Sequence, residues 1–191
     1  MANTDKAFGF RPIGNLSATG AQKQNGYEIA DNQAGTIFQG DLVALASGFI
    51  TRFLPATHTA AVGVFNGCSY IDPTTGKPTF KNFYPGSVNI TSGKIIADVI
   101  DDPSQLFLVQ CDAGFVAADV GKNADVIGTG GSTTTGVSTM ELNSSTLATT
   151  AALNLKTVGL YNVPSNEYGS FAVVVVKINE HVYGSAGVAG Q

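Results

Sequence analysis

An all-β fold follows from three features of this chain of 191 residues. From residue 36 onward, short runs rich in Val, Ile, Phe and Tyr are broken by Gly, Pro, Asn and Asp, the chemistry of strands and turns. Charged side chains make up 13% of the chain, about half the roughly 25% of ordinary globular domains, which excludes a coiled coil, a helical bundle or a solvated tail. Gly (23) and Pro (7) are abundant, and many short strands must bury a face against a second sheet or close on themselves. The expected fold is a barrel or sandwich of about seven to ten short strands with long loops and an extended N-terminal arm.

The arm covers residues 1–35, where apolar positions are scattered among Asn, Gln, Gly, Thr and Ala with neither a helical nor a strand period. Such a segment gains order only by lying on another surface, because it buries too little apolar area to offset its backbone entropy. Residues 36–183 read as one β domain. Runs at 42–46 and 49–54 flank Ser47-Gly48, a two-residue connection that predicts a tight hairpin. Residues 60–71 alternate, with Gly63 and Gly67 on the Phe65 face, predicting a bulge or the close approach of another segment. The run ends at the turn Asp72-Pro73-Thr74-Thr75-Gly76.

Runs at 95–100 and 105–111 across Asp101-Asp102-Pro103-Ser104 predict a second hairpin. Residues 117–126 and 145–153 could each hold a short helix. Residues 128–151, dominated by Gly, Ser, Thr and Ala, predict a long surface loop around one short strand. A strand at 158–163 turns through Pro164-Ser165-Asn166 into the longest one, 171–183. Its Val174, Val176, Ile178 and Val182 face is apolar, whereas its other face passes from Val173 and Val175 to Lys177, Asn179 and His181, so it should begin buried and end half-exposed. Residues 184–191 predict a flexible tail.

The net charge of -4 and pI near 4.9 leave no surplus of Lys and Arg for phosphate backbones, which argues against nucleic acid as a direct partner. The longest apolar run, residues 171–176, is far short of the roughly 20 residues that cross a bilayer. With no apolar core in residues 1–10 to serve as a signal peptide, the chain is expected to start soluble in the cytoplasm, without a membrane partner.

No catalytic constellation emerges, so no enzyme, cofactor or metal is expected. His58 lies in a polar loop without a neighbouring carboxylate, and His181 and Glu180, adjacent on a strand, point to opposite faces. Cys68 and Cys111 sit singly in apolar stretches, as buried free thiols do, without the paired spacing of structural zinc. Asp98, Asp101, Asp102 and Asp112 could offer oxygen ligands to calcium, but without EF-hand spacing they read as turn formers. Gly128-Thr129-Gly130-Gly131-Ser132 lacks the Lys-Ser/Thr ending of a phosphate loop. The aromatics Tyr70, Phe80, Phe83 and Tyr84 could cover the end of the domain, anchor a subunit contact or stack on a sugar. The candidate interface residues are Phe8, Phe10, Arg11, Phe80, Phe83 and Tyr84.

The segments Phe8-Gly9-Phe10-Arg11-Pro12, Val64-Phe65-Asn66-Gly67-Cys68-Ser69-Tyr70, Ile100-Asp101-Asp102-Pro103, Leu106-Phe107-Leu108-Val109-Gln110 and Val176-Lys177-Ile178-Asn179-Glu180-His181 together resemble small virion proteins of tailed bacteriophages. Within that group the size and β-rich body look most like a capsid decoration, or cement, protein. The resemblance implies a non-enzymatic protein on the outer surface of the phage head, clamping neighbouring major capsid subunits, and acting as a homo-oligomer with a trimer favoured. It leaves open a tail or neck component, and the aromatic stretch leaves open a carbohydrate-binding or adhesive module. The arm is expected to supply much of the capsid contact.

Overall fold

The computed structural model describes residues 3–16, 22–128, 130–184 and 190, so most of the tail expected at 184–191 lies outside the described residues. In chain order the strands are β1 (Arg11–Asn15), β2 (Asn25–Ile29), β3 (Leu42–Ala46), β4 (Phe49–Arg52), β5 (Gly63–Ile71), β6 (Pro78–Lys81) and β7 (Ile95–Ile100). They continue as β8 (Gln105–Gln110), β9 (Gly114–Phe115), β10 (Asn123–Ile127), β11 (Glu141–Ala148), β12 (Leu155–Leu160), β13 (Gly169–Ser170) and β14 (Val173–Ile178). The first sheet has the order β1-β8-β14-β12-β10-β11; the second runs β2-β7-β5-β3-β4, with β6 added to β5; β9 and β13 form a short ribbon. Every pairing between these strands is antiparallel. The fold is an all-β sandwich, and neither sheet closes into a barrel.

Alternation along the strands builds the core. Phe107, Val109, Val174, Val176 and Leu155 of the first sheet meet Leu42, Val64 and Ile100 of the second, with Phe10 and Phe53 completing the layer. An adjacent residue on each of those second-sheet strands points the other way: Val43, Phe65 and Val99 join Ile29, Ile37, Ile50 and Tyr84 in a second core. The second sheet is therefore apolar on both faces, because residues 29–40 and 82–90 cover the side turned away from the first sheet.

Local chemistry sets the turns and close contacts. Ser47 and Gly48 both have positive φ (52° and 87°), the primed hairpin turn between β3 and β4. At Gly63 a Cβ would lie 2.1 Å from the Ile100 carbonyl oxygen. At Gly67, where the β5–β7 register shifts, the Phe80 ring occupies the space a side chain would need. The Asp72 carboxylate accepts from Thr74 and Thr75 N–H (2.8 and 3.0 Å) and so closes the β5–β6 turn. Those two amides hold its carboxyl below the ordinary range.

Five expectations need correction. β7 and β8 do not form a hairpin: Asp101-Asp102-Pro103-Ser104 carries the chain from the second sheet to the first. The two runs belong to different sheets because each has a better apolar partner there, β5 and β14. Residues 11–15 and 25–29 of the arm are strands, paired with β8 and β7. The segment 128–151 includes the eight-residue β11, whose Ser and Thr positions pair as well as apolar ones once β10 supplies the ladder. Neither short helix forms: 117–119 is a single 3-10 turn followed by β10, and 145–148 lies in β11. Finally, β14 does not end half-exposed. Asn179 and His181 are buried, since the Asn179 amide donates to the carbonyls of Ala151 and Leu153 (2.8 and 2.9 Å).

Candidate interaction surface

The titratable groups are dispersed through the fold, and among the described residues no three His, Cys, Asp or Glu side chains come together as a metal site. His58 Nδ1 accepts from Leu54 N–H (3.0 Å) and its ring packs against Phe53, fixing the 54–58 turn. Cys68 and Cys111 are fully buried free thiols in separate cores, and burial pushes both up to about 12. Such thiols stay protonated at neutral pH and are poor nucleophiles. Asp112 accepts from Ser144 N–H (2.8 Å). The glycine segment is no phosphate cradle, because a Cβ at Gly131 would fall 2.2 Å from the Phe38 ring; Thr129 lies outside the described residues.

One polar cluster stands out where the chain crosses between sheets. The Asp101 Oδ2 accepts from Asn25 Nδ2 (2.7 Å) and Tyr27 OH (2.6 Å), and the Asp102 carboxylate accepts from Asn15 Nδ2 and Ser104 N–H. Burial and the hydrogen bond to Asp101 push the Tyr27 phenol well up. His181 Nδ1 accepts from Tyr183 N–H (3.0 Å). Burial lowers its pKa against the opposing pull of the Asp101 and Asp102 charges. The bonds to the two carboxylates lock Asn15 and β2 onto the crossover, and the His181–Tyr183 bond closes the turn after β14. They form a structural clasp in which the Tyr27 hydroxyl serves as a donor to a carboxylate and not as a nucleophile.

The six candidate interface residues divide. Phe10 and Tyr84 are core residues at 2% and 0% exposure, so they are not available to a partner. Phe10 meets Phe107 edge-on (6.3 Å between centroids), and Tyr84 OH donates to the Gln33 carbonyl (3.0 Å). An aromatic residue beside a turn carries the same sequence signal whether it caps the surface or plugs the core, and here both plug the core. Phe83 is half-buried and stacks on Phe38 (5.9 Å). Phe80 stands out at 62% exposure, over an open apolar depression with Tyr70, Ile71 and Ile96. The stretch 80–84 thus presents one exposed aromatic, not a platform.

Phe8 and Arg11 lie together, with the guanidinium 4.5 Å over the Phe8 ring. They border a groove of about 300 Å³ on the first sheet's outer face, floored by Leu108, Gln110 and Val173 and walled opposite by Tyr161 and Pro164. The segment before β1 runs across this face as a strap. Asn3 Nδ2 donates to the carbonyls of Glu167 and Ser170 (2.8 and 3.0 Å), and Glu167 N–H donates back to its Oδ1 (3.1 Å). Gln110 is the central tie: its Nε2 donates to the Thr4 and Phe171 carbonyls (2.9 and 3.0 Å) and its Oε1 accepts from Lys6 N–H (2.8 Å).

Beyond the strap the outer face continues over Leu106, Leu108 and Val175, which alternate with buried Phe107, Val109 and Val176. Its border includes Ile13 and Val158, exposed at 43% and 40%. Sequence reasoning missed this face; the signal was the unbroken apolar run of β14, which alternation alone assigns to two sides. No protein-family model, curated protein or solved structure matches the chain.

Proposed function

We propose that this chain is a non-enzymatic structural protein of a tailed-bacteriophage virion, a decoration protein that binds the outside of the head and stabilises contacts between major capsid subunits. The observation that carries the reading is the first sheet's outer face, a half-apolar strand surface with a groove and a strap beside it. A surface of this kind works by area and complementarity, and a clamp needs nothing more: an interface of roughly 1,600 Å² can hold subunits together without chemistry. Avidity adds to this when one oligomer bridges several subunits. The reading is also supported by low charge density, by buried, unreactive thiols and by the sequence resemblance to phage virion proteins. The single exposed aromatic of the stretch 80–84 weighs against the sugar-binding alternative, which calls for several.

The test is co-sedimentation of the purified chain with heads of the virion whose genome encodes it, stripped of this protein, followed by heating. Saturable binding with a raised head-disruption temperature is the expected result, because a ligand that prefers the assembled state stabilises it. Absence of binding contradicts the proposal. Deleting residues 1–35 is unsuitable as a mapping experiment, since it removes β1, β2 and Phe10 from the folded body.

A further inference from the structure

The second sheet has an uncovered apolar area on the side that it turns toward the first. Along β7, Ile95, Ala97 and Val99 lie in the second core, so Ile96 and Ile100 point the other way. Along β5, Cys68 and Tyr70 lie in that core too, so Ser69 and Ile71 point away from it. The first sheet packs over this side at Val64 and Ile100. Farther along the strands it does not: Ser69 is exposed, Ile71 and Ile96 are half-buried, and with Pro78 and Phe80 they line an open depression of about 490 Å³. Phe80, Ser69, Ile96 and Glu28 make one cross-strand row over β6, β5, β7 and β2. A Cβ at Gly67 would meet the Phe80 ring at 2.5 Å, so the ring rests on Gly67 while the residue stays 62% exposed. Its position is fixed before any partner arrives, which lowers the entropy cost of docking.

We infer that this face seats a second copy of the chain, in a two-fold pair whose axis runs along β5 at Ser69. The row is self-complementary about that line. Exposed Phe80 stands one strand to one side of the small Ser69, and half-buried Ile96 stands one strand to the other. A half-turn about β5 therefore lays each Phe80 on the partner's Ile96 and brings the two serines together. A two-fold contact needs one patch to supply both knob and hole, and this one does. The rotation keeps the strands of the two sheets aligned, as stacked sheets ordinarily are. It also sets the partner's β7 over β6, which pairs with β5 alone, and so shields an edge strand from open-ended pairing. Charge favours a copy over an acidic or basic partner, because Lys94 beside the depression is already paired with Glu28 at the end of the row. This pair is a dimer, distinct from the trimer that the resemblance to decoration proteins implies, and it does not depend on the head-decoration reading.

Sedimentation velocity of the purified chain over a range of concentrations tests it. The wild type should pass from monomer to dimer. Phe80→Ala should raise the dissociation constant about tenfold or more, as truncating a central aromatic anchor does. Ser69→Arg, at an exposed strand position, should abolish the dimer, since the axis sets the two guanidinium groups against each other. Should Phe80→Ala unfold, Ser69→Arg carries the test, with its fold checked by circular dichroism. Geometry is read by cross-linking Ser69→Cys with a bismaleimide short enough to join sheets packed about 10 Å apart. It should give a covalent dimer, whereas Thr133→Cys, exposed in a loop elsewhere, should not; native Cys68 and Cys111 are buried. A wild type that is monomeric throughout overturns the inference, and so does an oligomer that survives both Phe80→Ala and Ser69→Arg. If the wild type is monomeric and Ser69→Arg instead loses binding to stripped heads, the depression seats the capsid, the second copy is ruled out and the head-decoration reading stands.

Discussion

Asp41 is a fully buried carboxylate at the junction of the two sheets, and replacing it with Asn should make the protein more stable at neutral pH than in acid by comparison with the wild type. Its Oδ2 accepts from Phe38 N–H (2.8 Å). The Phe38 amide, the Ser138 hydroxyl and the Arg52 charge favour the ionised form, but burial outweighs them and raises the pKa from the ordinary 3.8 to about 6. A group protonated more readily when folded than when unfolded costs stability as pH rises from about 4 through about 6, and the cost is constant above that. The interval from 3.8 to about 6 corresponds to about 3 kcal/mol at about 1.4 kcal/mol per pH unit. In Asp41→Asn the amide oxygen can still accept from Phe38 N–H, and the side chain no longer carries a charge into the core. Urea unfolding followed by tyrosine fluorescence, at intervals from about pH 4 to about pH 7.5, should show the stability difference between variant and wild type growing by about 3 kcal/mol with rising pH. A difference that stays constant with pH would refute the reasoning, whatever its size.

Other outcomes follow from single contacts. Gly63→Ala places a methyl 2.1 Å from the Ile100 carbonyl oxygen, so β5 and β7 must separate; thermal unfolding should show a loss of roughly 3 kcal/mol, at the upper end for overpacking. Gln110→Ala removes two hydrogen bonds to the strap, at Thr4 and Lys6, and one to the Phe171 carbonyl, and should speed amide exchange at residues 3–8 with a loss of about 1–3 kcal/mol. For His181, whose folded pKa lies below its ordinary 6.5, stability is full above pH 6.5 and declines as pH falls below it. His181→Asn should flatten that part of the pH–stability curve, as read by chemical denaturation.

The strand content and the β3–β4 hairpin were readable because Ser47-Gly48 and the flanking β-branched residues speak through local sterics. The cores were harder to read. Residues 42–44 and 63–65 are apolar without interruption because the second sheet is covered on both faces, which erases the period-two signal. β1 and β2 carry few β formers, and their order comes from ladders with β8 and β7 and from side chains such as Asn15 and Asn25 bonding the crossover carboxylates. Such partners lie 87 and 76 positions away, beyond the reach of local pattern. The same limit hid the interaction surface: the half-apolar outer face exists only once β8, β12 and β14 are in register. The turn at Asp101-Asp102-Pro103-Ser104 was recognised as a turn, but a turn cluster does not say whether the next strand returns to the same sheet.

The head-decoration account stands or falls most directly on stoichiometry. Quantifying this chain against the major capsid protein in intact virions should give a fixed, high ratio, as repeated occupation of equivalent head sites requires. A copy number corresponding to a single ring, independent of the number of capsid subunits, would contradict it and place the protein in the tail or neck.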